Sequence, residues 1–343
     1  MERVADYIIK KIHAEGIDHI FLVNGRGVLF LTDAVAREKD FNFTSTYHEQ
    51  GASFAAMAYS SLNSKGGACL VSTGCAATNA ITAALCAYQD NLPMIFISGQ
   101  HMLNETTRFT GLPIRTYGSQ ETDIINIVQS ITKYAIMLTD PKQIAIEIEK
   151  AFYIMREGRQ GPVWIDIPLN IQNARINPDE LEHFKNLNEL KITNLQISEI
   201  TNEISKAKRP LLLLGGGVRS ANAISEIIEL VEKTNLPVVF TPSAVDVYGL
   251  SYKLSIGAIG SIGGSRAGNF ALQNADFILA VGTRLCSQIT GSDFEHFTNN
   301  AKIFIVDIDS IEHKKIGVKF DKLFIVDAKF LFEQMLKESI SKT

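Results

Sequence analysis

The chain has few of the features that mark a secreted, membrane-bound or nucleic-acid-binding protein. Its 343 residues include only four cysteines and no Cys-x-x-Cys pair, which favours buried reduced thiols over a disulfide framework. No apolar run approaches the roughly 20 residues of a membrane helix, and Met1 leads into a polar segment rather than a signal peptide. The net charge of −4 comes without a basic cluster. We therefore expect a cytoplasmic protein with neither nucleic acid nor a membrane as partner.

What the chain does have is an ordinary globular composition, with 46% hydrophobic and 20% charged residues, and a length that suits about two domains. Continuous apolar strands alternate with helices in both halves, which is typical of parallel sheets covered on both faces. The sequence therefore predicts an α/β fold with two doubly wound parallel-sheet domains. We expect domains at 1–170 and 196–343, joined by a polar linker at 171–195.

The apolar runs give the predicted elements. In the first domain the predicted strands are 19–23, 41–46, 68–72, 94–99 and 163–167, and the main helices are 49–63, 78–90, 121–130 and 141–157. In the second domain the predicted strands are 211–214, 238–241, 277–281, 303–307 and 323–326, followed by a helix from 328 to about 341.

Glu49 is the first candidate catalytic residue. It follows the apolar segment 41–46 and begins an Ala-rich helix. A carboxyl group at this place can be buried against a flat heteroaromatic ligand, where it would bond a ring nitrogen and control its protonation. The alternative is a plain acid in the first turn of a helix, where it interacts favourably with the helix dipole.

Three further positions are candidates. Gly74 and Asn79 flank a strand-to-helix turn, where glycine lets the backbone approach a ligand and asparagine can instead cap a helix. Gln120 precedes Glu121 and Asp123, so the segment can also be read as the acidic first turn of a helix.

These segments together resemble the thiamine diphosphate enzymes of the acetolactate synthase group. The N-terminal half resembles their pyrimidine-binding domain and the second half their central domain. In the first half the matching segments are His48–Ala52, Ser72–Asn79, Asp90–Pro93, Ser98–Gln100, Gln120–Asp123, Thr132–Lys133 and Gly161–Pro168; in the second half they are Arg209–Pro210, Gly215–Gly217, Leu236–Val238, Gly282–Arg284 and Ile305–Asp309.

The resemblance implies roles for the candidate residues. Glu49 would bond N1′ of the aminopyrimidine and so promote loss of the thiazolium C2 proton, while Gly25, Gly74, Asn79 and Gln120 would line the thiamine diphosphate site, with Gln120 facing the reaction centre. The implied reaction is decarboxylation or carboligation of a 2-oxoacid, and the implied assembly is a homo-oligomer through the pyrimidine domain.

The loop 22–27 departs from the family pattern. It reads Leu-Val-Asn-Gly-Arg-Gly where the family typically has Gly-x-Pro-Gly-Gly, and Cys75-Ala76 stand where the family usually has Pro-Gly. Arg26 adds a cation that either holds a substrate carboxylate or is a solvated loop residue. The departure weakens the expectation of acetolactate synthesis itself.

In the second half, Gly215, Gly216, Arg219, Gly282 and Arg284 stand where some family members bind FAD. Glycines between a strand and a helix suit a nucleotide diphosphate. The alternatives are tight turns with an empty site, or ADP in place of the flavin.

The sequence lacks the family's Gly-Asp-Gly with a downstream asparagine, which holds the diphosphate and its Mg²⁺. We expect that the diphosphate-binding domain is absent, that no residue of this chain binds the metal, and that a partner chain supplies both. A split enzyme and a truncated product remain open explanations, and a non-catalytic or regulatory relative that kept the fold is the alternative function.

Overall fold

The chain divides into two compact units, Met1–Asn188 and Glu189–Thr343, and the computed structural model describes residues 1–186 and 197–338. Six parallel strands form the main sheet of the first unit, in the order β3-β2-β4-β5-β7-β6, and β1 and β8 form a separate antiparallel pair. The strands are β1 Glu2–Arg3, β2 His19–Leu22, β3 Asn42–Ser45, β4 Gly67–Val71, β5 Met94–Gln100, β6 Tyr134–Met137, β7 Pro162–Pro168 and β8 Arg175–Ile176. The helices are α1 Val4–Ala14, α2 Leu29–Arg37, α3 Glu49–Leu62, α4 Cys75–Thr78, α5 Ile81–Asp90, α6 Thr107–Thr110, α7 Ile124–Val128, α8 Ile144–Arg156 and α9 Leu169–Asn173.

The central strands of this sheet are buried on both faces. Every residue of β4, β5 and β7 is buried, and successive residues face opposite layers of the core. Ala68 and Leu70 pack into the layer that contains α1, whereas Cys69 and Val71 pack into the layer that contains α3 and α5. Helices on both faces are therefore required to cover the sheet.

The second unit also has six parallel strands, in the order β11-β10-β9-β12-β13-β14. The chain reverses its direction of winding between β9 and β12, so a crevice is expected at their carboxyl ends. The strands are β9 Pro210–Leu214, β10 Val238–Phe240, β11 Ser255–Ala258, β12 Phe277–Val281, β13 Lys302–Asp307 and β14 Lys322–Ile325. The helices are α10 Ile197–Lys206, α11 Gly217–Ser220, α12 Ile224–Thr234, α13 Arg266–Asn274, α14 Ser287–Thr290 and α15 Ala328–Lys337.

The predicted fold class is confirmed, but several elements differ from the prediction. The strands β6 and β11 were not predicted, because each is a four-residue edge strand with mixed burial. The strand β3 is exposed along its whole length, since it is the edge of the sheet and Asn42, Thr44 and Ser45 are polar. None of the described helices has the length and apolar character to cross a membrane.

The predicted linker 171–195 is wrong at its beginning. The helix α9 continues to Asn173, and β8 pairs with β1, so this stretch belongs to the first unit. Ile171, Gln172 and Ile176 are buried there because they pack under α1 and α2. The end of the predicted linker, from 187 on, lies outside the described residues, as does the predicted end of the last helix.

Candidate active site at the carboxyl ends of the strands

The candidate residues of the first unit gather where the parallel strands end. The turn after β4 carries Gly74, the loop after β2 carries Gly25, and α3 begins at Glu49 just after β3. Since parallel strands present their carboxyl ends at one edge, these segments lie side by side. This edge is the usual position of a ligand site in a doubly wound sheet.

Glu49 and Asn79 are joined directly by a hydrogen bond. The Asn79 Nδ2 group donates to Glu49 Oε2 at 2.9 Å. The asparagine side chain therefore supports the carboxylate and does not cap the start of α5, where Ala80 is the cap position. His48 is the residue that caps α3, its Nδ1 accepting from the Gln50 N–H at 3.1 Å. The Glu49 side chain is half-buried, so the first unit alone does not give the full burial expected for an activating carboxyl.

A buried thiol lies on the inner side of Glu49. Cys69 in β4 is fully buried, and burial first and the Glu49 charge second raise the pKa of its thiol well above the usual range. Because raising a thiol's pKa keeps it protonated, Cys69 is a neutral core residue and not a nucleophile.

Gly74 and Gln120 are brought together by their backbones. Gly74 has φ +57°, and a Cβ atom placed on it would lie 1.5 Å from the Gln120 carbonyl oxygen. Gln120 itself has φ +64°, a left-handed backbone conformation that residues other than glycine seldom adopt. Its side chain is exposed. The predicted alternative of a helix start is wrong at this residue, because α7 begins at Ile124 with Asp123 as its cap.

The loop after β2 is packed tightly against the loop after β4. A Cβ on Gly25 would lie 2.3 Å from Ser72 Oγ, and a Cβ on Gly27 would lie 1.9 Å from Thr73 Oγ1. The Gly27 N–H donates to Ser72 Oγ at 3.2 Å, and its carbonyl accepts from Gln172 Nε2 at 2.6 Å. Gly25 is thus required for packing, whatever ligand lies beside it.

Arg26 occupies the middle of this anchored loop. Its side chain is exposed, and it has no ion pair with any residue in the described part of the chain. The glycines on both sides are held against the loop after β4, so the cation is presented at the same edge as Gly74 and Glu49.

A buried polar network behind the site was missed by the sequence analysis. Asp166 Oδ1 accepts from Ser98 Oγ at 2.5 Å and Asp166 Oδ2 from Gln100 Nε2 at 3.2 Å, while Trp164 Nε1 donates to Ser98 Oγ at 2.8 Å. Burial raises the pKa of Asp166 to about 7, against the effect of the two hydrogen bonds. The available signal was an acid inside a fully apolar strand, which seldom occurs without a partner.

Glu121, next to Gln120, was also missed. It is 3% exposed, and its carboxylate accepts from the Thr107 N–H at 3.1 Å, from Thr107 Oγ1 at 2.9 Å and from the Tyr117 N–H at 3.2 Å. The carboxylate therefore closes the loop 107–121 on itself. The sequence analysis placed Glu121 in the acidic first turn of a helix. This placement is excluded because α7 begins at Ile124.

Comparison with known proteins finds matches in both halves of the chain. Residues 2–127 match the profile of the thiamine pyrophosphate enzyme N-terminal TPP binding domain, and residues 197–333 match that of the thiamine pyrophosphate enzyme central domain. The chain belongs to the thiamine pyrophosphate enzyme family. Within this family it is similar to acetolactate synthases, and the predicted resemblance is confirmed.

Three relatives illustrate the similarity. An acetolactate synthase of Arthrospira platensis is 32% identical over 318 residues, which are 89% of this chain and 53% of the relative. A probable acetolactate synthase large subunit of Methanococcus aeolicus is 31% identical, with 97% and 55% covered, and an acetolactate synthase large subunit of Corynebacterium glutamicum is 33% identical, with 91% and 49% covered. The chain spans about half the length of the curated relatives it matches.

In this member of the thiamine pyrophosphate enzyme family, the predicted nucleotide residues of the second unit lie at the expected crevice between β9 and β12. A Cβ on Gly215 would lie 2.2 Å from the Gly282 carbonyl oxygen, and the Gly217 N–H donates to that same oxygen at 3.0 Å. The glycines therefore pack against one another, and Gly216 has more space, with the Ser243 carbonyl oxygen 3.4 Å from its added Cβ.

The two predicted arginines of the central domain differ in their surroundings. Arg219 makes a two-pronged ion pair with Asp246, with Nε 2.6 Å from Oδ2, and also donates to the Ser243 carbonyl at 2.6 Å. Arg219 is thus engaged inside its own unit. The Arg284 side chain is exposed at the end of β12, and its carbonyl accepts from Lys315 Nζ at 2.5 Å.

Across residues 1–186 and 197–338, no group of three or more His, Cys, Asp or Glu side chains is arranged to hold a metal ion.

Proposed function

We propose that this chain provides the pyrimidine-binding half of the active site of an acetolactate synthase-like enzyme that acts on 2-oxoacids. The observation that carries the proposal is the Glu49–Asn79 hydrogen bond of 2.9 Å, placed beside the contact of Gly74 with Gln120. A carboxylate, an amide and a close backbone turn then meet at one edge of the sheet, and each belongs to a segment of the matched family domain.

The residues present fit the aminopyrimidine end of thiamine diphosphate. Asn79 donates a hydrogen bond to one carboxylate oxygen of Glu49, so the other oxygen is able to exchange a proton with a ring nitrogen. The turn at Gly74 has no side chain of its own, so a flat ring can approach its backbone. The cofactor, when bound, supplies the reactive carbon and the electron sink for decarboxylation, whereas the chain positions it and controls the proton at Glu49.

The other half of the site lies, in this proposal, outside these 343 residues. Gly-Asp-Gly does not occur in them, and Glu49 is only half-buried. Large apolar side chains stand exposed on the segments around the site, with Tyr47, Phe109, Leu112 and Tyr117 each more than half exposed. Such surface is usually covered by another domain or chain. We propose that a diphosphate- and Mg²⁺-binding part covers it, either in a partner chain or in a longer protein, and that pyrimidine domains pair in a homo-oligomer.

The proposed substrate is an anionic 2-oxoacid. Arg26 supports it, because an exposed guanidinium on an anchored loop is suited to a carboxylate. Its loop differs from the usual family sequence, so the acceptor need not be the one used by acetolactate synthases.

A flavin or ADP in the central domain remains a proposal of its own. The crevice at Gly216 and the exposed Arg284 support it, while the engagement of Arg219 with Asp246 opposes a phosphate contact there. Absorbance of the purified protein in the visible flavin bands would support FAD, and a colourless protein that takes up no added FAD would contradict it.

The alternative is a non-catalytic relative that kept the fold. The substituted loop 22–27 and the Cys75-Ala76 turn favour it, since both lie at the candidate site. The two functions are distinguished by release of carbon dioxide from pyruvate and longer 2-oxoacids, measured with the diphosphate-binding part, thiamine diphosphate and Mg²⁺ present. We expect release that depends on the cofactor. A complex that binds the cofactor but releases no carbon dioxide from any 2-oxoacid would favour the alternative.

A further inference from the structure

The loop that carries Gln120 is strained and must be held by its surroundings. Gln120 has φ +64°, which costs roughly 1 kcal/mol or more for a residue with a side chain. Its carbonyl oxygen faces Gly74, leaving no room for even a methyl group between them. The loop 118–122 keeps this conformation only if the neighbouring backbone groups are fixed.

One fixed point lies before Gln120. The His101 ring has Nε2 2.6 Å from the Ser119 carbonyl oxygen, so Nε2 carries the proton and donates. The ring also lies flat against the preceding glycine, because a Cβ on Gly118 would be 2.6 Å from His101 Cγ. His101 therefore fixes the backbone on the N-terminal side of Gln120 by a hydrogen bond and by contact.

A second fixed point lies after Gln120. Gln100 Nε2 donates to the Thr122 carbonyl at 3.0 Å and to Asp166 Oδ2 at 3.2 Å, while its side-chain oxygen accepts from the His101 N–H at 3.1 Å. Each amide proton thus has its own acceptor, and the amide cannot turn over without placing its oxygen against the Thr122 carbonyl. Asp166, fully buried and held by Ser98, sets this orientation.

We propose that Gln100, His101 and Asp166 are positioning residues for Gln120, holding the carbonyls on either side of it from the end of β5 and from β7. The inference rests on the proposed function, in which Gln120 faces the reaction centre. A buried carboxyl group is poorly explained by stability alone, because removing it from water costs free energy that an apolar residue of similar size would not incur. Asp166 contacts Gln100, and Gln100 in turn binds the Thr122 carbonyl in the loop that carries Gln120.

The test uses Gln100→Ala and Asp166→Leu, with Ser60→Ala as the matched control. Asp166→Leu has a similar shape but no oxygen, so Gln100 loses an acceptor. His101→Phe is a further variant that keeps a ring against Gly118 and removes the donor. Ser60 is buried, and its Oγ donates to the Pro93 carbonyl at 2.6 Å near the amino-terminal edge of the same sheet, away from Gln120.

Hydrogen exchange of the chain is the first readout. We expect amides of residues 119–123 to exchange at least about tenfold faster in the three variants, with the rest of the first unit unchanged. Ser60→Ala should not change exchange in that segment. Unaltered exchange at 119–123, or a loosening spread over the whole unit, would overturn the inference.

Turnover in the complete enzyme, with the diphosphate-binding part present, is the second readout. Gln100→Ala should lower kcat about tenfold with a smaller change in KM, because misplacement of a reacting group acts on the chemical step. When Gln100→Ala is combined with Gln120→Ala, kcat should fall no further than in Gln120→Ala alone, because Gln100 acts through Gln120. Additive losses of kcat in the double variant would contradict a role of Gln100 in positioning Gln120. Absence of thiamine diphosphate-dependent turnover in the unaltered enzyme would overturn the proposed function. The hydrogen-exchange measurement would still test whether Gln100, His101 and Asp166 hold the loop that carries Gln120.

Discussion

At the scale of single residues, the Asn79–Glu49 hydrogen bond decides how the site is interpreted. A glutamate in the first turn of a helix is ordinary, and the helix dipole alone would account for it. The amide of Asn79 changes this interpretation, because it comes from a different strand-to-helix turn and orients one carboxylate oxygen. The carboxylate is thus fixed in direction, which is what a proton-exchanging group requires.

Replacing Glu49 with Gln should abolish proton exchange while preserving the shape of the site. We expect kcat of the complete enzyme to fall by about 100-fold or more, with the melting temperature nearly unchanged. Glu182→Gln, a change at an exposed carboxyl of the same unit, serves as the control. Turnover of Glu49→Gln equal to that of the unaltered enzyme would refute the assignment.

Arg26 is predicted to act on substrate affinity and not on the chemistry. Replacing Arg26 with Gln removes one charge-assisted hydrogen bond, so KM for a 2-oxoacid should rise about tenfold while kcat changes little. Lys39→Gln removes an equal charge from an exposed position just before β3 and should leave KM unchanged. An Arg26 variant with normal KM would identify Arg26 as a solvated loop residue.

At the scale of elements, the turn between β4 and α4 connects the candidate residues. Gly74 stands at the end of a fully buried strand, its backbone touches Gln120, and the short helix that follows ends at Asn79, which bonds Glu49. The conformation of this turn therefore sets both contacts.

Gly74→Ala should disturb this turn strongly. The added Cβ meets backbone at 1.5 Å, and φ +57° is unfavourable for alanine, so we expect a loss of about 2 kcal/mol or more in the free energy of unfolding and a displaced Gln120 loop. Gly51→Ala in α3 is the control, because its Cβ would have no neighbour closer than 3.8 Å and alanine favours helices. Equal stability of Gly74→Ala and Gly51→Ala in urea denaturation would show that the turn tolerates a side chain.

Much of this element-level arrangement could be predicted from the sequence. The mainly apolar segment 94–99 predicts a buried parallel strand, and the family resemblance assigns Glu49, Gly74 and Gln120 to one cofactor site. The position of the predicted strand 41–46 at the exposed edge of the sheet and the loop contacts could not be predicted, because they depend on residues far apart in the chain. The bond of Gln100 to Thr122, for instance, joins backbone and side chain 22 positions apart.

At the scale of the whole molecule, the buried acid Asp166 links stability to pH. Its pKa in the fold is raised from 3.8 to about 7, chiefly by burial, with the charges of Asp123 and Glu121 adding to the rise. Between these values the folded chain holds a proton that the unfolded chain has lost. Stability from this group is therefore full below pH 3.8 and falls as the pH rises through about 7.

This dependence is measurable with a natural probe. Trp164, the one tryptophan of the chain, lies in the same network, so its fluorescence during urea denaturation reports on the first unit. A pKa shift of this size corresponds to roughly 4 kcal/mol at most between about pH 4 and pH 8. We expect Asp166→Asn to remove that part of the pH dependence. An identical pH profile in the variant would show that Asp166 does not titrate in this window.

The central claim is that these residues form the pyrimidine half of a thiamine diphosphate site that another part must complete. Calorimetric titration of thiamine diphosphate with Mg²⁺ tests it most directly, on this chain alone and on the chain with the diphosphate-binding part. We expect tight binding only when both parts are present, and weaker binding when Glu49 is replaced by Gln. Tight binding by this chain alone, or none in the presence of the second part, would contradict it.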